Sequence, residues 1–160
     1  MKRLLFPLAA VLAFGAACGG TNDTDDTTRD ESGTIVESGD LGVFAIKVGD
    51  CFDEVDYSSQ VDEVSGLACD GEHIYEVYHA FDIAGDTFPG DESVVTSAQD
   101  GCLAAFEGFV GMDYNESVLD ISYLYPTEDS WNLGDDREVL CMVYNLDGTP
   151  RVGSAAGAGV

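Results

Sequence analysis

The stretch "REVLCMVYNL", Arg137–Leu146, decides the fold. It is apolar on both of its period-two faces, the pattern of a strand at the centre of a sheet that is covered on both sides. Just upstream, "VLDISYLYP" alternates Leu119, Ile121, Tyr123 and Tyr125 onto one face and is stopped by Pro126, so it reads as a second strand. Before it, "SVVTSAQDGCLAAFEGFVG" repeats Val95, Ala98, Cys102, Ala105 or Phe106, and Phe109 at helical spacing. This predicts an amphipathic helix with Asp91 of "FPGDE" as its N-cap, Gly101 as a weak point and Gly108 or Gly111 as its end. "HIYEVYHAFDI" is rich in aromatic and β-branched residues and reads as a strand. "VFAIKV" places Phe44, Ile46 and Val48 on one face, a half-buried strand ended by Gly49 and Asp50. The order β, β, α, β, β predicts an α+β domain over residues 41–153, a small antiparallel sheet packed against one main helix.

The chain begins with Lys2 and Arg3, then an apolar run from Leu4 to Ala17 that contains Pro7. That run is shorter than the roughly 20 residues a membrane-spanning helix needs, so residues 1–17 read as a secretory signal peptide. Cys18 follows the small residues Gly15, Ala16 and Ala17 and resembles the lipobox cysteine of bacterial lipoproteins, although Gly15 stands where that motif usually has Leu. Gly15 and Ala17 also satisfy ordinary secretory cleavage, whose product would be a soluble secreted protein. Residues 18–40, almost without large apolar side chains, read as an acidic disordered linker, and residues 154–160 as a flexible tail.

The formal charge is −25, and beyond the leader the cations are Arg29, Lys47, Arg137 and Arg151. Phosphate binding needs basic residues in quantity, so nucleic acid is excluded as a partner. There are five cysteines, an odd number that leaves one without an intramolecular partner in an exported chain. Lipidation of Cys18 resolves the parity. Cys51, Cys69, Cys102 and Cys141 then allow three pairings. Cys51–Cys69 and Cys102–Cys141 are favoured, the first closing a local loop and the second pinning the helix to the central strand. A zinc site is the weaker reading because no two cysteines form a C-x-x-C pair.

"HIYEVYH" does not make a metalloprotease site, since His73 and His79 lie roughly 20 Å apart along a strand, with Glu76 on the opposite face. "NLDGT" lacks the acids that a calcium loop needs at Val143 and Ser154. No G-x-S-x-G is present. No metal, cofactor or catalytic residue is expected.

Four pieces in order, "VGDCF" (Val48–Phe52), "CDGEHIYEV" (Cys69–Val77), "CLAAFEGFVGMDY" (Cys102–Tyr114) and "PTEDSWNLGDDREVLCMVY" (Pro126–Tyr144), resemble the septum formation domain of actinobacterial envelope lipoproteins. The resemblance covers about Gly42 to Gly153. It implies a non-enzymatic extracytoplasmic domain connected with cell division, often carried on a lipobox or a membrane helix. The family positions fall on Cys51, Cys69, His73, Glu76, Cys102, Trp131, Gly134, Arg137 and Cys141. Trp131 and Arg137 are expected to order the approach to the last strand, with Arg137 a candidate partner for Glu76, and His73 and Glu76 are candidates for a structural or recognition role. The chain is thus expected to be a binding or scaffolding module, lipid-anchored on the outer face of the cytoplasmic membrane, with an envelope or division protein as partner. The alternative is a cell-envelope hydrolase that uses acidic residues.

Overall fold

The computed structural model describes residues 24–53, 55 and 60–160. The leader and Cys18 lie outside the described residues. In chain order the elements are β1 (Thr28–Arg29), β2 (Ile35–Glu37), β3 (Gly39–Gly42), β4 (Cys51–Phe52), β5 (Glu63–Leu67), β6 (Glu72–His73) and β7 (Tyr75–Asp82). Helix α1 (Asp91–Val110) follows, then β8 (Leu119–Leu124), a short helix α2 (Glu128–Leu133), β9 (Glu138–Asn145) and β10 (Arg151–Val152).

Six strands form one antiparallel sheet in the order β3-β5-β4-β7-β9-β8. The Arg137–Leu146 stretch supplies β9, flanked on both sides, and its two apolar faces serve two cores. Val139, Cys141 and Val143 face one core with Ala98, Cys102, Phe106 and Val110 of α1. Leu140 and Met142 face the other, with Leu41, Phe52, Val64 and Val77. The register between β7 and β9 skips Tyr78, whose hydroxyl donates to the Cys102 carbonyl oxygen at 2.6 Å inside the first core. The disulfides join Cys51 to Cys69 and Cys102 to Cys141.

Helix α1 starts one residue differently from the expectation. Gly90, with φ 93°, takes the N-cap position, and Asp91 and Glu92 sit in the first turn, where they favour the helix dipole. The buried stripe runs through Val94 rather than Val95. Gly101 is a seat rather than a weak point, because a Cβ there would lie 2.3 Å from the Phe81 ring.

Three expectations are corrected. The "VFAIKV" segment is a 3₁₀ turn at Val43–Ala45 followed by extended chain; only Ile46 is buried, and Phe44 and Val48 are about half exposed. A period-two apolar pattern fits a turn with one anchored residue as well as it fits a strand, and the strand is supplied by "GDLG" just before it. Residues 24–40 are not a disordered tether. Asp26 N–H donates to Asp40 O at 2.9 Å and Gly42 N–H to Thr24 O at 2.7 Å, so this segment covers the open edge of β3. Ile35 is buried in the second core. Gly39 is required there because a Cβ would stand 2.4 Å from Asp26 O. Composition averaged over the segment conceals the few residues that hold it down.

The tail is docked as well. Gly157 N–H donates to Phe109 O at 2.8 Å and Gly159 N–H to Val110 O at 2.9 Å, satisfying carbonyls that the end of α1 leaves open. Ala155 is fully buried in the first core. Small residues let this backbone approach the helix end closely.

Candidate functional site

The sequence candidates fall into two separate clusters. At one, Glu76 of β7 is buried, 3% exposed, on the α1 face opposite Val143. Its carboxylate accepts from the Ser154 hydroxyl and from Ala155 N–H at 2.6 Å. Arg137 is not its partner, which corrects that expectation: the donors come from the tail, which composition had marked as loose. Glu76→Gln should lower unfolding free energy by about 1.5–3 kcal/mol, because two donors lose a charged acceptor in the interior. Urea denaturation of the variant measures this, and an unchanged midpoint would contradict the latch.

His73 is also buried, 1% exposed, and pairs across β6 and β10 with Arg151. Its Nδ1–H donates to Gly71 O at 3.0 Å, which leaves Nε2 as an acceptor. His73 Nε2 and Arg151 Nη1 have no hydrogen-bond partner among the described residues. Burial is the main cause that holds the His73 pKa below its ordinary 6.5; Arg151 adds to it, and the Gly71 carbonyl and Glu76 oppose it. The native state thus takes up this proton less readily than the unfolded chain. Stability should be full above about pH 6.5 and decline as pH falls below it. In His73→Gln that decline should flatten, while the carboxylate-driven loss below about pH 4 remains. Urea midpoints measured across this range check the prediction.

At the second cluster, Trp131 of α2 is buried against Phe88, ring centroids 5.7 Å apart, and the Arg137 guanidinium lies 3.8 Å above the indole. Arg137 Nη1 donates to the Trp131 and Asp136 carbonyl oxygens at 3.0 and 2.7 Å, and Nε donates to Gly85 O at 3.1 Å. One side chain thereby ties the loop after β7, helix α2 and the entry to β9. Thr127 and Ser130 cap α2 reciprocally. Neither cluster is an exposed recognition patch.

Sequence reading missed a third group. Arg29 of β1 donates in a fork to Asp50, Nη1 to Oδ1 at 2.6 Å and Nη2 to Oδ2 at 2.9 Å, and Nε reaches Asp25 at 2.8 Å. Asp50 is 2% exposed and also accepts from Lys47 N–H at 2.8 Å. Nothing in the local pattern pairs two residues so far apart in sequence.

It missed an apolar concavity too. The sheet curls over its second core and brings the turn after β3 near the end of β8, leaving a groove of about 380 Å³. Val43, Phe44 and Val61 line it from one side, and Leu124 and Tyr125 from the other. Ser130 and Asp136 supply polar lining. Phe44 and Tyr125 remain 47% and 42% exposed at this groove. The signal was present in "VFAI" and "SYLYP", but period-two patterning read those aromatics as half-buried sheet residues. No group of three or more His, Cys, Asp or Glu side chains able to hold a metal occurs among the described residues.

A family model described as septum formation matches residues 17–157, most of the chain. The chain belongs to the septum formation family. No curated protein and no solved structure matches it. The family's description connects the chain to cell division, and the two disulfides fit an extracytoplasmic location. The match begins before residue 41, in keeping with the septum formation fold drawing in residues 24–40.

Proposed function

We propose that this septum formation protein is a non-enzymatic binding or scaffolding module, lipid-anchored through Cys18 on the outer face of the cytoplasmic membrane, where it engages a division or envelope protein. The observation that carries the reading is the groove between the curled sheet's edges, with Phe44 and Tyr125 exposed at it on a disulfide-braced frame. Aromatic side chains left open at a preformed concavity are what a binding surface needs. The anchor is supported by cysteine parity: with four thiols in two bridges, Cys18 has no intramolecular partner. Mass spectrometry of the mature N-terminus should find a diacylglycerol adduct on Cys18. A water-soluble form with a free Cys18 thiol would refute the anchor. The hydrolase alternative is tested by incubating the purified chain with peptidoglycan and glycosides; turnover would refute the binding-module reading.

A further inference from the structure

The groove's position, charge and edge geometry together identify what it can take. Its first wall is tied to the N-terminal end of the described chain, since Gly42 N–H donates to Thr24 O immediately before the turn that carries Phe44. Cys18 lies six residues before Thr24, a stretch that spans at most about 22 Å even when fully extended. With acyl chains on Cys18, the Phe44 side of the groove is therefore held close to the bilayer. A disordered linker through Asp40 would have imposed no such limit.

Charge restricts the occupant further. Asp136 lines the groove with its carboxylate held by Ser130 Oγ at 2.8 Å and by Glu138 N–H at 3.1 Å, and no cation pairs with it among the described residues. Exposed Glu128 and Asp129 follow the groove residue Thr127, and exposed Asp62 and Glu63 follow Val61. The cation nearest in sequence, Arg137, is committed to Trp131 and Asp135. An anionic headgroup or polymer meets repulsion here, and so does a second copy of a chain with charge −25.

The adjoining sheet edge limits how a partner can bind. On β8, Leu119 N–H is taken by Ser117 Oγ at 3.0 Å and Ile121 N–H by Asp120 Oδ1 at 2.8 Å. Strand addition is closed along that part of the edge. Recognition then falls to side chains entering the groove, whose volume of about 380 Å³ holds only a few of them.

We propose that the groove receives a lysine- or arginine-rich juxtamembrane segment of a membrane-bound partner protein, with that segment's apolar side chains seated between Phe44 and Tyr125. This rests on the binding-module reading and names its occupant. The test is NMR titration of the oxidised chain with a synthetic peptide of alternating lysine and leucine around one tryptophan, and with its counterpart in which glutamate replaces every lysine. The lysine peptide should shift the amides of Val43–Ala45 and Tyr123–Tyr125 and lose affinity as salt rises. The glutamate peptide should bind at least about tenfold more weakly. Phe44→Ala and Tyr125→Ala should each weaken lysine-peptide binding about tenfold while the chain stays folded, with the amide shifts of α1 and β7 kept, since both side chains are about half exposed and lie outside the buried cores. Equal affinity for the two peptides, shifts confined to another face, or undiminished binding to both variants would overturn the proposal. If a soluble peptidoglycan strand or neutral phosphatidylcholine vesicles shift the groove residues and the lysine peptide does not, the occupant is wrong while a binding function stands. Envelope hydrolysis without groove binding would refute both.

Discussion

Arg29→Met is expected to destabilise the protein by about 3–5 kcal/mol, because it strips the guanidinium partner from Asp50 while leaving that carboxylate buried. The loss exceeds the pair's net contribution, since desolvation offsets most of the Coulomb attraction. Replacing both members, Arg29→Met with Asp50→Leu, should therefore cost much less than Arg29→Met alone. Arg29→Lys should fall between, since an ammonium cannot reproduce the two-pronged contact with Oδ1 and Oδ2. Urea denaturation of the three variants gives the comparison. Because Arg29 also fastens the segment over β3, the single variant should expose that edge and associate at high concentration. Equal losses in the single and double variants would show that the contribution comes from packing rather than from the orphaned charge.

Replacing Cys102 and Cys141 together by alanine should cost about 4 kcal/mol. The bridge closes a loop with a sequence separation of 39, and the cost is chiefly freedom returned to the unfolded chain. Both residues are fully buried between α1 and β9, so alanine, rather than serine, avoids adding an unpaired hydroxyl. The Cys51–Cys69 bridge, with a separation of 18, should contribute about 3 kcal/mol. The midpoint of urea unfolding should fall further for the first pair than for the second. A loss below about 1 kcal/mol for Cys102–Cys141 would mean that the unfolded chain is already restricted.

The parts of the fold visible in sequence are those where one periodicity is sustained. β9, β8, β7 and α1 were readable because their apolar residues repeat over six or more positions and their packing obeys that repeat. β4 and β6, at two residues each, carry no period, and α2 at six residues is held by Thr127, Ser130 and the Trp131 anchor rather than by amphipathicity. The N-terminal segment and the tail misled for one reason. Both are built of small and polar residues, yet Ile35 and Arg29 fix one, while Ala155 and backbone donors to Glu76 and α1 fix the other. These are long-range partners, which a local window cannot pair. Of the candidate side chains, Trp131 and Arg137 do meet at 3.8 Å, whereas Glu76 and Arg137 belong to different clusters. The groove was illegible because it exists only where the sheet curls and brings the turn after β3 to the end of β8.

The central claim is that the groove, and not the α1 face, meets a partner at the membrane. Site-specific photocrosslinking in dividing cells tests it most directly, with p-benzoylphenylalanine in place of Tyr125 in one strain and of the exposed Glu107 of α1 in another. The account predicts a discrete adduct from position 125 to a membrane protein, mapping to a lysine- or arginine-rich segment beside its membrane span, and no such adduct from position 107. Identical adducts from both positions, or none from position 125 while the anchored protein is present at normal level, would contradict it.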